Sequence, residues 1–481
     1  MKWILKWVVS MVIVSTIFPI SAVAQYFGQN KPSYRTFRYQ VKQMPHFEIY
    51  HYLDDDALLN YFANRAEEWY AMHQRMFADT FEKRNPLILY STHAEFQQTT
   101  AISGSLGVGT GGVTESLKNR VVMPATHSIA QIDHVLGHEL VHAFQFNRLL
   151  FTDTIKMKSI NNIPLWMIEG MAEYLSIGSV DPNTAMWMRD ALLNKDFPSI
   201  NKLSTDSKYF PYRYGHSLLA MIGKTWGDSI IVPLLVKTAR IGLDKALDSI
   251  IGFDSKTLSA MWKTGIESYY KPFLKDSSRV LTGRKIISKE NSGRLNLSPS
   301  LSPNGKYIAY FSEKNVFSLD LFLAEAQTGR VIRKVTKIRR NQDIDDFSFI
   351  ESGGTWSPDS RKYAFVVFSR GSNRIVIIDV RKGKVEAEIS IDGILSLTNP
   401  EWSPDGRYMV FNGLVNGIGN LYLYDMELKK TETLTTNFYS SIHPAWSSDG
   451  KNIVFSSESV NEKHPSKRYC FSISILNLEA R

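Results

Sequence analysis

Two histidines four residues apart, with a glutamate directly after the first, form the segment His138-Glu139-Leu140-Val141-His142. A helix returns to the same face after four residues, so both imidazoles can reach one metal ion, and this donor set suits zinc. Glu139 sits one position round from the first histidine. Its carboxylate can take a proton from a metal-activated water, whose pKa zinc lowers to about 7, and later pass it to a leaving amine. Three specified residues are a thin signal, since chance produces them in roughly one or two chains of this length per hundred. The downstream segment Pro164-Leu165-Trp166-Met167-Ile168-Glu169-Gly170-Met171-Ala172-Glu173-Tyr174 strengthens it, with Glu169 lying 27 residues after His142. There Glu169 and Glu173 share a helix face, so one can bind the metal while the other hydrogen-bonds a ligand histidine. Two ordinary exposed carboxylates are the alternative. The flanking Trp166, Met167, Ile168, Met171 and Ala172 argue against it, because unpaired carboxylates are costly in a buried helix. His134 would extend the histidine ladder, but it stands about 12 Å from His142 along a helix, too far for both to hold one ion. It reads as a packed or surface histidine.

The elements that must hold these residues follow an α+β pattern from Gln25 to about Arg284. Phe47-Glu48-Ile49-Tyr50 and Leu87-Ile88-Leu89-Tyr90 read as strands, and Asp56 to Ala78 as an amphipathic helix. Val108 to Thr114 reads as a glycine-rich loop before a strand near Asn119 to Met123. Ile129, Ile132, Leu136 and Ala143 recur at helical spacing around the histidine motif. Ser217 to Trp226 and Ser229 to Thr238 also read as helices.

Around Asp276 to Asn291 a polar linker gives way to β-rich units, so a second domain is expected over residues 285–481. It carries an internal repeat: Leu301-Ser302-Pro303-Asn304-Gly305, Trp356-Ser357-Pro358-Asp359-Ser360, Trp402-Ser403-Pro404-Asp405-Gly406 and Trp446-Ser447-Ser448-Asp449-Gly450. The spacings of 55, 46 and 44 residues suit propeller blades. Asp359, Asp405 and Asp449 read as turn-forming residues rather than calcium ligands. Four repeats are the minimum for a propeller, so the ring closes with few blades, pairs with another chain, or belongs to a shortened relative of a longer protein.

A chain of 481 residues exceeds one ordinary domain. Its 56 Lys and Arg against 47 Asp and Glu give a net charge of +9, or +7 without Lys2 and Lys6. The basic residues are scattered, which excludes a nucleic-acid footprint as the main reading. Lys2 and Lys6, the apolar stretch Trp7 to Ile20 and the small-x-small Ala22-Val23-Ala24 read as a secretory signal over residues 1–24, cleaved between Ala24 and Gln25. An uncleaved anchor is the rival, disfavoured by Pro19. Export to the periplasm or the exterior follows, with no stable membrane span after cleavage. Cys470 is the sole cysteine, so no intramolecular disulfide is available, and it reads as a buried inert thiol.

The histidine motif followed by a helix bearing ExxAE resembles the gluzincin branch of clan MA metallopeptidases, and Tyr34 to Tyr270 resembles the peptidase-MA-like domain. The repeats from about residue 291 resemble TolB-like propellers, with departures at Leu301, Asn304, Ser360 and Ser448. The resemblance implies a multidomain protein: an α+β zincin-like domain over residues 25–284 with its cleft between an α+β and a helical lobe, then an all-β propeller. It implies one Zn2+ ion held by His138, His142 and Glu169, Glu139 as the general base, and Glu173 supporting a ligand histidine. It further implies peptide-bond hydrolysis, with extended peptide or protein substrate pairing along Val113 to Met123. For the oxyanion it implies a tyrosine or histidine among Tyr209 to His216, of which Tyr214 is the first choice, with core packing as its alternative. The propeller would gate substrate or bind a protein partner. A rival reading makes the first domain an inactive scaffold and the propeller the working surface.

Overall fold

The computed structural model describes residues 33–274, 283–315, 318–335, 346–350, 353–461 and 468–479. The expected signal segment and its cleavage point after Ala24 lie outside them. Two bodies of different texture follow one another: an α+β body up to Leu274, and an all-β body from Asn296 onward.

The first body is built on a five-stranded mixed sheet of β1 (Gln40–Gln43), β2 (Phe47–His51), β3 (Asn85–Tyr90), β4 (Val113–Glu115) and β5 (Arg120–Pro124), ordered β1-β2-β3-β5-β4. Alternation sets its inner face: Phe47 and Ile49, Leu87 and Leu89, Val121 and Met123 are all buried in one core. β2, β3 and β5 run parallel, whereas β4 is antiparallel to β5 and forms one edge of the sheet. Helix α1 (Asp56–Phe77) starts where the Asp55 carboxylate accepts the Ala57 amide at 2.7 Å. Its apolar stripe of Leu59, Phe62, Ala66 and Tyr70 enters the core shared with the sheet. Three further helices carry the residues of interest: α2 (Ile129–Phe146), α3 (Leu165–Ile177) and α4 (Pro211–Trp226). Among the described residues no single helix is long and apolar enough to cross a membrane.

The second body contains four antiparallel sheets among the described residues, one per repeat. They are β6 (Asn296–Leu301) to β9 (Val331–Lys334) through β7 (Tyr307–Asn315) and β8 (Ser318–Glu325), and then β10 (Asp346–Phe347) to β14 (Lys384–Ile389) through β11 (Thr355–Trp356), β12 (Lys362–Ser369) and β13 (Ser372–Asp379). The third comprises β15 (Ser396–Trp402), β16 (Tyr408–Val415), β17 (Ile418–Asp425) and β18 (Lys430–Thr433), and the fourth β19 (Ser441–Trp446), β20 (Asn452–Val460) and β21 (Tyr469–Asn477). The repeated turn has one chemistry. Ser302, Ser357, Ser403 and Ser447 donate hydroxyl hydrogen bonds of 2.5 to 2.9 Å to Asn304, Asp359, Asp405 and Asp449. Each of those side chains also accepts the backbone amide two residues on, at 3.0 Å. Ser360 adopts φ 60° where the other repeats place glycine.

Neighbouring blades share cores through equivalent positions of β8, β13 and β17. Leu321 and Leu323 pack with Phe365, Ile375 and Ile377 with Phe411, and Leu421 and Leu423 with Phe455. On the fourth blade the corresponding Ile473 and Ile475 are 81% and 69% exposed. Cys470 lies on this same strand and is exposed, which corrects the expectation of a buried thiol. The cause is its place on β21, the outermost of the three strands this blade has among the described residues, where the third blade has four.

Candidate active site

α2 begins directly after β5, and the Ser128 hydroxyl caps it by accepting the Gln131 amide at 3.3 Å. Ile132, Leu136, Leu140, Val141 and Phe144 anchor the helix in the core, which turns His138 and His142 toward α3. Both histidines and Glu139 are buried, with 6 to 8% of their surface exposed. α3 follows Pro164 and is equally apolar, with Trp166, Met167, Met171 and Ala172 in the core.

The helices bring His138, His142 and Glu169 together. His138 Nε2 and His142 Nε2 are 3.2 Å apart, and Glu169 Oε2 lies 3.4 Å from the first and 3.2 Å from the second. An ion bound at about 2.1 Å in a tetrahedral arrangement separates its ligand atoms by about 3.4 Å, so this triangle fits zinc. Glu169 Oε2 is buried with no aligned hydrogen-bond donor, which is what a carboxylate oxygen reserved for a cation looks like. Electrostatics agree. Burial alone pushes the His138 imidazole down, but Glu169 and Glu173 outweigh it and raise its pKa to about 10. Burial likewise raises Glu169, and the two imidazoles more than reverse this, bringing it to about 2.

Around this triangle the remaining polar groups are oriented. His142 Nδ1 donates to Gln145 Oε1 at 2.9 Å, while the Gln145 amide donates to the Ile168 carbonyl at 3.1 Å. His138 Nδ1 lies 3.3 Å from Glu173 Oε1. Glu173 is in turn held by Arg213, whose guanidinium donates to Oε2 at 2.8 Å. His134, expected to be a packed or surface residue, is partly exposed and has its Nε2 3.6 Å from Glu173 Oε1. Despite burial, His134 and His138 keep the Glu173 carboxyl below the usual carboxylate range. Glu139 stands beside the triangle under the edge strand, and the Thr114 hydroxyl donates to its Oε2 at 2.7 Å. Gly112 leaves room for it: a Cβ there would lie 2.8 Å from Glu139 Cγ.

Tyr214 does not join the group. It is 5% exposed and sits edge-on to Tyr209, Trp187, Phe197 and Trp262 in an aromatic cluster. The tyrosine that faces the site is Tyr212, stacked on the His138 ring with centroids 5.7 Å apart and planes 13° apart. Burial and then the nearby Glu169 charge hold its phenol well above the ordinary value. The close approach of α3 and α4 explains the choice. A Cβ on Gly170 would lie 2.4 Å from the Gly215 carbonyl carbon, so the crossing needs both glycines, and position 212 stands almost one turn before Gly215 on the contact face. A helical wheel separates the two tyrosines only once the crossing at Gly215 fixes its phase. Arg213 carried no signal in the sequence, because its carboxylate partner is 40 residues away.

Comparison with known proteins divides the chain in the same way. Residues 75–268 match the family model described as the Peptidase MA superfamily, and residues 339–463 match the TolB beta propeller domain. Among curated proteins, the Tol-Pal system protein TolB of Ruthia magnifica subsp. Calyptogena magnifica is 33% identical over 83 residues, 17% of this chain and 19% of that protein. Among solved structures, TolB from Acinetobacter baumannii is 20% identical over 40% of this chain and 43% of its own, with a TM-score of 0.32. A putative TolB from Agrobacterium tumefaciens is 18% identical over 38% and 61%, with a TM-score of 0.30. The chain thus spans less than two thirds of each relative's own length. The chain joins a Peptidase MA superfamily domain, which contains the histidine and glutamate cluster, to a C-terminal TolB-type β-propeller domain.

Proposed function

We propose that this protein is an exported zinc-dependent peptidase of gluzincin type, hydrolysing peptide bonds in extended peptide or protein segments. Its working division falls at residues 25–284 and 285–481, after loss of residues 1–24. The observation that carries this reading is the triangle of His138, His142 and Glu169 ligand atoms with 3.2 to 3.4 Å sides, beside a buried Glu139.

His138, His142 and Glu169 would hold the ion. Zinc bound there supplies Lewis acidity, lowering the pKa of a water to about 7 and polarising a carbonyl. Glu139 accepts the proton of the attacking water and returns it to the leaving amine, with its Oε2 oriented by Thr114. Tyr212, kept as a neutral phenol, donates a hydrogen bond to the oxygen on which charge develops. Gln145 and Glu173 fix the tautomer and tilt of the two imidazoles. The edge strand β4, next to Glu139, can pair an extended substrate. The propeller reaches the loop that leads into β4, since a Cβ on Gly109 would lie 3.3 Å from Ile350, which supports a role in limiting access.

Glu139→Gln tests the mechanism. Bound zinc is expected to stay, while cleavage of an unfolded protein falls by about a hundredfold or more. Cleavage at the wild-type rate contradicts the assignment.

A further inference from the structure

A propeller carboxylate is built into the start of the motif helix. Glu458, on β20, is 3% exposed and lies at the N-terminus of α2. Its Oε1 accepts the Ser128 hydroxyl at 3.0 Å and the Ala130 amide at 2.6 Å. Its Oε2 accepts the Ile129 amide at 3.0 Å and the Ser440 amide at 3.2 Å. Two of the four unpaired amides of the helix, and the hydroxyl of its capping serine, thus end on one side chain more than 300 residues away. A negative group there is also favoured by the helix dipole.

A second contact comes from the paired strand. Tyr469, opposite Val460 on β21, donates its hydroxyl at 2.8 Å to Asp133, one turn into α2. Asp133 is 4% exposed and also accepts Arg65 at 2.7 Å and Trp69 at 2.8 Å from α1. His127, just before the helix, is within 2.9 Å of the Ser396 hydroxyl on the third blade. The stretch from His127 to Asp133, which ends five residues before the first ligand histidine, is therefore held jointly by two blades and α1.

We infer that Glu458 is a positioning residue for the metal centre, acting through α2, so that the fourth propeller blade sets the pitch and depth at which His138 and His142 present their imidazoles. This rests on the metal-site reading above and extends it. It makes the propeller part of the working site rather than an appendage. It also gives any partner that displaces the fourth blade a direct route to the ligands.

The test uses the full chain with Glu458→Gln, which keeps the size and one acceptor oxygen, alongside Glu458→Ala and the control Ile473→Ser on an exposed position of β21. Three readouts separate the possibilities: amide exchange at Ile129 and Ala130 in metal-free protein, affinity for cobalt(II), and the visible absorption of the cobalt-loaded protein. Both Glu458 variants are expected to exchange those two amides about tenfold faster, to bind cobalt about tenfold more weakly, and to shift its absorption band. Ile473→Ser is expected to match wild type in all three. Folded Glu458→Gln protein with wild-type affinity and spectrum overturns the inference, whatever the alanine variant does. Faster exchange in a wild-type-like fold that takes up no cobalt even before mutation refutes both the metal-site reading and the inference. Cobalt binding that is strong in wild type and indifferent to Glu458 refutes the inference alone.

Discussion

Tyr212 and Tyr214 are two positions apart on one helix, which turns their side chains about 200° from each other. One ring therefore lies on His138 while the other closes an aromatic core. If Tyr212 donates to the developing oxyanion, Tyr212→Phe lowers kcat by about a hundredfold with little change in KM, as expected for a donor engaged only in the transition state. Tyr214→Phe is expected to leave both constants near wild type. Steady-state kinetics on one peptide substrate checks the pair, and equal losses would contradict the assignment. The sequence offered both tyrosines within a run of aromatics, and spacing without a helix phase could not separate them. His138, Glu139 and His142 were legible because their relation is local to one turn of helix. The nearness of His134 to Glu173 was not, because it depends on where a second helix crosses.

That crossing is the main work of the elements. α3 and α4 approach so closely that a Cβ on Gly215 would lie 2.1 Å from the Trp166 carbonyl oxygen. Gly170→Ala should force the helices apart, costing about 1 to 3 kcal/mol of stability. It should also weaken metal binding, since Glu169 is the adjacent residue. Thermal unfolding with and without zinc measures both effects, and an unchanged melting temperature would contradict this close helix packing. At this scale the sequence was informative where periodicity is strong: β2, β3, β5 and α1 lie where alternation and helical spacing put them. The repeated Ser-x-Asp turns were also readable, since each is closed by hydrogen bonds within six residues. The cap on α2 was invisible, because Glu458 reaches Ile129 only after the blades have stacked.

Across the whole molecule, stability is shared between the first body and a series of inter-blade cores, and one partly buried acid makes the propeller sensitive to pH. Burial raises the Glu401 carboxyl to about 7, only partly offset by the hydrogen bond from the Thr355 hydroxyl at 3.0 Å. The folded state thus holds this proton where the unfolded chain, with an ordinary value near 4.5, has released it. Stability is full below about 4.5, declines as pH rises to about 7, and is level above that, with a loss on the order of 3 kcal/mol at most. Glu401→Gln should flatten that part of the profile in denaturant titrations at pH 5 and pH 8, and an unaltered slope would count against the burial of this acid. The peptidase reading itself depends on three ligand atoms converging from two helices. It is tested most directly by the metal content of the purified chain. One zinc ion per chain is expected for the wild type, and less than a tenth of that for folded His142→Ala and Glu169→Ala. A folded wild type without stoichiometric zinc in zinc-replete buffer, or variants that retain it in full, would contradict the metal centre.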